Sequence, residues 1–563
     1  MIITALVKRY EDNMEIPVGW QKRDATFALE ISETGEILDF VPLGGQSGKK
    51  RGSLALILPS IGSGRTGILA YQTAYFLCDE GSYILGIDPK KFESSKKLHH
   101  RLLENIDTPA ANAIKAYFNE PPILPPEKSG NKEYTQAKYV FSFDGKIIDY
   151  EAGSEISGRW DNEQKNKATG KLERCLVTGQ HDEIIKLHYK IPLRGVTMNA
   201  QPLISINNQK SFRSYGSKDN DPPAMMGQYA AFAYSAALSS LLENNKHHKF
   251  IGSDTLLYWA EKGGEAEEGL FSDLLDPPKI DDEAELDEWA KRASAGDYVS
   301  GYNPECRFHL LCLSPNAARM SVRFFLMDKF GVLASNIKKH YERLEIINDG
   351  RNPFTMLPLW LLLSETTIKQ KAADANPLLG TQLLNSILKN TPYPFTLYNA
   401  ILTRIRAGGA INQAKVAIIK ATLIKNFSKS EVITVALNEK SENTPYVLGR
   451  LFSVLEMLQD RANGSSTIRE RYFTSACSNP SSIFPTLLNL SIHHSAKLDN
   501  PIFFEKLKSE LISRLGGEDP FPAALSLDDQ GRFIVGYYHQ RQFFFTKKEV
   551  PKETTIEEAP ENE

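Results

Sequence analysis

The chain has 563 residues, 41% of them hydrophobic and 24% charged, and its formal net charge is −3. This length exceeds what one hydrophobic core supports, so we expect several domains, and no apolar run reaches the ~20 residues that cross a bilayer. The near-neutral charge argues against a free-standing nucleic-acid-binding protein but allows one with local basic patches inside a larger assembly.

Residues 1–125 have the pattern of a mixed α/β domain. The first ten residues predict a short helix with one apolar face and not a signal peptide. Strands are predicted at Thr26–Ile31, Glu36–Val41 and Leu54–Leu58, and Thr108-Pro109 predicts a helix start. The five cysteines are scattered and never spaced C-x-x-C, which predicts reduced thiols in a cytoplasmic protein.

Residues 126–335 predict a middle α+β domain. Tyr139–Phe143 followed by Asp144-Gly145 predicts a hairpin, Asp221-Pro222 predicts a helix start, and Phe308–Leu313 predicts a strand. Ser314-Pro315 has the composition of a helix N-terminus, so a helix is expected after Leu313.

Residues 336–546 are almost wholly helical in pattern, and residues 547–563 are charged and predicted to be disordered. The expected fold class is therefore α+β, with mixed α/β N-terminal and middle domains followed by an all-helical C-terminal bundle.

Two motifs could indicate an enzyme. Gly62-Ser-Gly64-Arg-Thr-Gly67 matches G-x-G-x-x-G after a strand, and Asp88 is expected at the end of a later strand, as in a dinucleotide-binding turn. No further βαβ units follow, so a surface loop is the favoured interpretation. His181-Asp182 lacks the other histidines and the second aspartate of a metal-dependent phosphohydrolase. We therefore predict no catalytic residue, metal or cofactor, with a nucleotide-dependent oxidoreductase as the alternative.

Three groups of residues are candidates for binding DNA. An amide-rich segment with four basic and no acidic residues can contact base edges and phosphates. It contributes Arg194, Asn207, Lys210, Arg213 and Tyr215. The helix expected after Leu313 would place Asn316, Arg319 and Arg323 on one face near a helix N-terminus that suits phosphate. Glycine-rich loops, expected to be mobile, carry Lys49, Lys50, Arg51 and Arg65. Ordinary polar loops and solvated helix faces remain the alternative interpretations.

The segment Cys306–Phe325, CRFHLLCLSPNAARMSVRFF, resembles L-G-L-S-P-N-A-A-R-x-S-V-R-F of the large subunit of the type I-C CRISPR effector complex (Cascade). Leu203–Leu242 is similar to a second segment of that family. Shorter matches from Phe76–Asp79 to Gly536–Arg541 keep the family's order, so the resemblance covers nearly the whole chain.

This resemblance implies a non-catalytic subunit that lies beside the backbone and crRNA-end subunits of a crRNA-guided complex. Such a subunit recognises the protospacer-adjacent motif in double-stranded DNA, while base pairing with the crRNA reads the remaining target, and a helicase-nuclease is then recruited. The family also implies a separate small subunit from an internal start, here Val447 or Met457, with residues 447–546 as the small-subunit-like region. A helical scaffold without a nucleic-acid role is the second alternative.

Overall fold

The computed structural model describes residues 1–545 apart from several short and three longer segments. The segments outside the description are 14–15, 48–49, 62–72, 126–127, 129, 151–154, 167–171, 186, 197–200, 206–224, 263, 276, 278–302, 318, 349–355, 429–432 and 517–519. For residues 46, 47, 50, 51, 165, 166, 373 and 377 the description covers the backbone alone.

The described residues form two compact units. Unit 1 lies within Met1–His248, Glu261–Gly263 and Leu313–Phe325, and unit 2 lies within Lys249–Ala260, Gly264–Cys312 and Leu326–Glu563. The three-domain division expected from the sequence stays a prediction.

Unit 1 mixes short strands with helices of moderate length. Its helices are α1 (Ile2–Asn13), α2 (Gly81–Ile84), α3 (Pro89–Leu103), α4 (Pro109–Tyr117), α5 (Lys132–Thr135), α6 (Glu155–Asn166) and α7 (Gln228–Glu243). Its strands are β1 (Trp20–Ala25), β2 (Phe27–Ile31), β3 (Ile37–Pro42), β4 (Gln46–Ser47), β5 (Lys50–Arg51), β6 (Leu54–Pro59), β7 (Cys78–Glu80), β8 (Lys138–Phe143), β9 (Lys146–Ile147), β10 (Leu172–Arg174) and β11 (His181–Glu183).

The main sheet of unit 1 has the order β3-β2-β8-β7, and β9 pairs with β8. Strand β2 runs parallel to β8, with Phe27 opposite Tyr139, whereas β3 and β7 are antiparallel to their neighbours. The predicted strands at residues 26–31, 36–41 and 54–58 and the hairpin at Asp144-Gly145 are confirmed. Strands β2 and β8 are short, largely apolar runs that are buried along nearly their whole length, as expected for strands inside a sheet.

Helix α1 packs on α7, which is rich in alanine. Leu6, Val7 and Tyr10 of α1 are buried, and the Tyr10 ring meets the edge of Phe232 at a centroid distance of 5.8 Å. The small side chains of α7 let the two helices approach closely. Helix α7 begins at Gln228 with Gly227 at its N-cap, and the Asp221-Pro222 helix start predicted from the sequence lies outside the described residues.

A four-stranded sheet has the order β12-β13-β14-β15. Its strands are β12 (His248–Ile251), β13 (Asp254–Ala260), β14 (Arg307–Asn316) and β15 (Arg319–Lys329). The strand predicted at Phe308–Leu313 is confirmed and is longer than expected. The helix predicted after Leu313 is wrong, because Arg319–Lys329 is a strand.

The reason for this error is visible in the sequence of β15. Its residues alternate between polar and apolar from Arg319 to Phe324, a period of two that favours a strand. Ala317, with φ +50°, supplies the left-handed conformation of the turn between β14 and β15. The Ser-Pro helix signal is local, and pairing with β14 overrides it.

Unit 2 is otherwise helical, and every regular element among the described residues after Lys329 is a helix. Apart from one 3₁₀ turn (Ala372–Asp374), the helices are α8 (Glu265–Leu275), α9 (Phe330–Leu344), α10 (Leu359–Ser364), α11 (Pro377–Leu388), α12 (Phe395–Arg406), α13 (Gln413–Phe427), α14 (Thr444–Asn463), α15 (Ile468–Ser478), α16 (Pro480–Ser495), α17 (Ile502–Ser513) and α18 (Leu527–Phe545). The predicted α+β class with a helical C-terminal region is therefore confirmed.

Helices α14 and α18 cross closely through two glycines. A Cβ atom at Gly449 would collide with the carbonyl oxygen of Phe533, and one at Gly536 would collide with that of Tyr446. The buried Arg450 side chain donates from Nε to Gln540 Oε1 at 3.0 Å, which ties the two helices further. This pair forms the centre of the C-terminal helices.

Candidate nucleic-acid interface

The end of the β14–β15 hairpin presents polar side chains on one face. Arg319, Ser321 and Arg323 alternate along β15 and therefore point the same way. Asn316 Nδ2 donates to Ser321 Oγ at 3.4 Å, and Arg323 Nη2 donates to Ser314 Oγ at 2.8 Å. Both arginines are exposed, and their Cα atoms are about 13 Å apart at 3.3 Å per residue.

Arg319 forms no ion pair with any residue that the structure describes. Its guanidinium is therefore available for an anion without first displacing a described carboxylate. The phosphate seat predicted at a helix N-terminus is wrong, since no helix begins here. The three residues predicted for it lie instead at the turn end of the β14–β15 hairpin.

A turn at Gly195 places Arg194, another predicted DNA-binding residue, next to this hairpin. Gly195 has φ +84°, and a Cβ atom there would lie 3.1 Å from Pro315 Cγ, so the turn lies against the hairpin end. The neighbouring Arg194 is exposed. We call Arg194, Asn316, Arg319 and Arg323 the hairpin patch. The fold thus brings together residues that are more than 100 positions apart in the sequence.

The basic segment at Lys50 and Arg51 is a short hairpin and not an irregular loop. Ser47 pairs with Lys50 and Gln46 with Arg51, and Gly52 N–H donates to Gly45 O at 2.8 Å. Of the other predicted DNA-binding residues, several lie outside the described part of the chain: Lys49, Arg65, Asn207, Lys210, Arg213 and Tyr215.

Asp88 does not end a strand, as the dinucleotide-binding interpretation required. It is the N-cap of α3, and its carboxylate accepts hydrogen bonds from the backbone N–H groups of Lys90 at 3.0 Å and Lys91 at 3.3 Å. Asp-Pro is a typical helix start, so the sequence contained this signal. The Gly62–Gly67 motif lies outside the described residues.

Asp182, of the His181-Asp182 pair, has a structural role at the start of α7. Its carboxylate accepts from Tyr229 N–H at 2.9 Å. The next histidine along the chain, His188, is buried with its Nδ1 2.9 Å from the Tyr234 hydroxyl, and burial lowers its pKa to about 4. Throughout the described ranges, no group of three or more His, Cys, Asp or Glu side chains could hold a metal. The absence of catalysis stays a prediction.

The sequence analysis missed a cavity of about 730 Å³ beside α3 in unit 1. Lys90, Lys97 and Arg101 of α3 line it, together with Tyr75 and Tyr189. The signal that could have revealed it is the spacing of the three cations, at i, i+7 and i+11, which places them on one helix face.

The sequence model of the family described as CRISPR-associated protein (Cas_Csd1) matches residues 6–545. The chain belongs to this family. A search among curated proteins found no match.

The Cas_Csd1 match includes the β14–β15 hairpin, α3 and the C-terminal helices. The resemblance noted from Cys306–Phe325 is therefore confirmed at the level of a CRISPR-associated family. Within the part of this Cas_Csd1 chain that the structure covers, no helix combines the length and apolarity needed to cross a membrane.

Proposed function

We propose that this Cas_Csd1 protein is the non-catalytic large subunit of a crRNA-guided type I-C effector complex. It recognises the protospacer-adjacent motif in double-stranded DNA and stabilises the opened target for a helicase-nuclease. Its other partners are the crRNA and the backbone and crRNA-end subunits. Family membership supports the CRISPR part of this proposal, and the hairpin patch is the observation that carries the DNA-binding part.

The geometry of the hairpin patch suits duplex DNA. The major groove is about 12 Å wide and admits a two-stranded β-ribbon, and arginine and asparagine are the side chains that best recognise guanine and adenine there. The patch offers Arg319, Arg323 and Asn316 at the turn end of the β14–β15 hairpin, the edge hairpin of a four-stranded sheet, with Arg194 beside it for a phosphate. A short motif needs only a few such contacts, because the crRNA reads the rest of the target.

The net charge of −3 fits this role. A subunit that binds DNA within a complex needs cations only where it contacts DNA, since the guide contributes base pairing and the partner subunits contribute contacts. The modest total charge therefore fits a subunit of an assembly better than an independent DNA-binding protein.

The C-terminal helices extend the proposal to a small subunit made from an internal start. In this view, copies of the bundle hold the displaced strand with exposed cations. Arg532 is engaged by Asp528 at 2.6 Å and Arg541 by Glu456 at 3.2 Å. Arg461 and Arg471 are exposed, which makes them the better candidates for contacting DNA.

The experiment is to co-express the chain with its operon, purify the complex with its RNA, and measure binding to a guide-matched duplex. An Arg319→Ala/Arg323→Ala variant is compared with Lys329→Ala, at the far end of the same strand. We expect the double variant to lose roughly 5- to 150-fold in affinity per base contact, from 1–3 kcal/mol, and to discriminate less among adjacent motifs.

The control variant should bind like the unchanged complex, because the Lys329–Glu305 ion pair is exposed and such pairs contribute little. Unchanged affinity and motif preference in the double variant would show that the hairpin patch does not read DNA. A chain that never co-purifies with RNA and partner subunits would contradict the large-subunit assignment itself.

A further inference from the structure

The cavity beside α3 has a row of cations along one wall. Lys90, Lys97 and Arg101 share a helix face, and the row is about 16 Å long at 1.5 Å per residue. At ~3.4 Å per phosphate in a stacked strand, this length spans several phosphates. A single pyrophosphate would occupy only a fraction of it.

These cations can exchange their present partners for phosphate. The Lys97 and Arg101 side chains are 75% and 53% exposed, and they pair with Glu93 at 3.5 Å and Glu163 at 2.9 Å. The Lys97–Glu93 pair is exposed on both sides and is worth at most about 1 kcal/mol, although Glu93 also lines the cavity, whereas the Glu163 side chain is only 13% exposed. Lys90 has no ion pair within the described ranges, so Lys90 and Lys97 are the cations that can turn to a phosphate at the lowest cost.

Aromatic side chains form another part of the cavity wall. Tyr75 and Tyr189 line it and are partly exposed. The Arg23 guanidinium lies 5.3 Å from the centroid of the Tyr75 ring and donates to Cys78 O at 2.7 Å, which fixes this wall. Aromatic rings and cations that line one cavity are the combination that binds single strands, because bases stack on the rings while phosphates bind the cations.

The N-terminus of α3 cannot bind the pyrophosphate of a free dinucleotide through its backbone N–H groups. A pyrophosphate would need the first N–H groups of the helix, and Asp88 already accepts from those of Lys90 and Lys91. A paired duplex fits poorly as well, since its bases are stacked inside and cannot reach Tyr75. A cavity of about 730 Å³ is also too small to enclose a duplex.

We propose that this cavity binds two or three successive nucleotides of single-stranded DNA, with phosphates on Lys90, Lys97 and Arg101 and a base against Tyr75 or Tyr189. The inference rests on the proposed function, in which the complex opens its target. In this proposal the cavity of unit 1 binds the opened single strand, whereas the hairpin patch recognises duplex DNA.

The test compares assembled complexes that contain the unchanged chain, a Lys90→Gln/Lys97→Gln/Arg101→Gln variant, or a Lys96→Gln control. Lys96 is on the same helix, but its Nζ donates to Asn119 O at 2.7 Å and does not line the cavity. Each complex binds guide-matched DNA with 4-thiothymidine in either strand beside the adjacent motif. After irradiation, cross-linked peptides are identified by mass spectrometry.

We expect cross-links to the peptides of Tyr75 or Tyr189 in the unchanged and control complexes and at least ten-fold fewer in the triple variant. The slope of log affinity against log salt should become shallower by about 2, from 0.7 per phosphate for three phosphates. A single Lys97→Gln change should give roughly a third of the change in slope. Because the Lys97 side chain is exposed, this substitution should not disturb folding, so misfolding would not account for the change.

Unchanged cross-links and an unchanged salt slope in the triple variant would overturn the inference. If the Arg319→Ala/Arg323→Ala variant loses DNA binding in the same experiments, the proposed function still stands. Efficient competition by NAD⁺ for the cross-link would instead make the cavity a free-dinucleotide site and also overturn it. A complex without guide-dependent DNA binding would refute the proposed function and this inference together.

Discussion

The two candidate internal starts give polypeptides that should differ in whether they fold. A chain from Val447 keeps nearly all of α14, whereas a chain from Met457 loses more than half of it. Both keep α15 to α18, and both lose the contacts of α18 with α13. The comparison therefore isolates the effect of residues 447–456.

The lost segment is a large part of the core of the bundle. Six apolar side chains in it are completely buried: Val447, Leu448, Leu451, Phe452, Val454 and Leu455. At about 1.5–3 kcal/mol each, their burial stabilises the bundle by roughly 9–18 kcal/mol as an upper bound. This range overlaps the net stability of an ordinary domain, about 5–15 kcal/mol, and extends above it. The start at Met457 also removes Arg450, the partner of Gln540, and Glu456, which accepts from the Tyr537 hydroxyl at 2.6 Å.

The assay is urea unfolding of residues 447–546 and 457–546, each with an initiator methionine, followed by far-UV circular dichroism. We expect a cooperative transition for the longer fragment and none for the shorter one. A Gly449→Val change in the longer fragment should abolish the transition, because the new side chain meets the Phe533 carbonyl. Equal midpoints for the two fragments would refute the reasoning. In cells, a synonymous change at codon 447 should then remove the fragment, and Met457→Leu should not.

Further predictions concern DNA binding, catalysis and pH. Arg319→Ala alone should make the salt slope of target binding shallower by about one unit, and an unchanged slope would make this residue structural. Neutralising Lys49, Lys50, Arg51 and Arg65 should slow target capture in stopped-flow measurements and leave assembly intact; failed assembly would point to a partner contact instead. Purified protein with magnesium, manganese or zinc should not cleave DNA or RNA, and cleavage that disappears in His181→Ala would contradict this. Burial lowers the pKa of His99 to about 4 from 6.5; the unfolded chain therefore binds the proton first, and His99 alone should lower the stability by about 2 kcal/mol between pH 7 and pH 5. Urea unfolding at both values should show a total loss that is smaller by about this amount in His99→Gln.

Local signals in the sequence determined many of the elements. Thr108 caps α4 by accepting from Ala111 N–H at 3.3 Å, and Ser526 Oγ accepts from Asp529 N–H at 3.3 Å at the start of α18, as their sequences predict. Such caps involve residues within four positions of one another, so a short stretch of sequence specifies them. The short apolar strands of unit 1 and the Asp144-Gly145 turn are predictable for the same reason.

Contacts between distant parts of the chain decided the rest. Ser314-Pro315 has the local signal of a helix, but the segment after it pairs with β14 in a sheet, because strand pairing satisfies the backbone and buries Leu313 and Met320. The sequence identified Arg194 and Arg319 as possible DNA contacts, but it did not show that Arg194 lies beside the hairpin that carries Arg319. Their proximity depends on Gly195 packing against Pro315 across 120 residues of sequence, and no local periodicity encodes a contact of that separation. The cavity beside α3 is a further example, since its walls come from segments that only tertiary packing brings together.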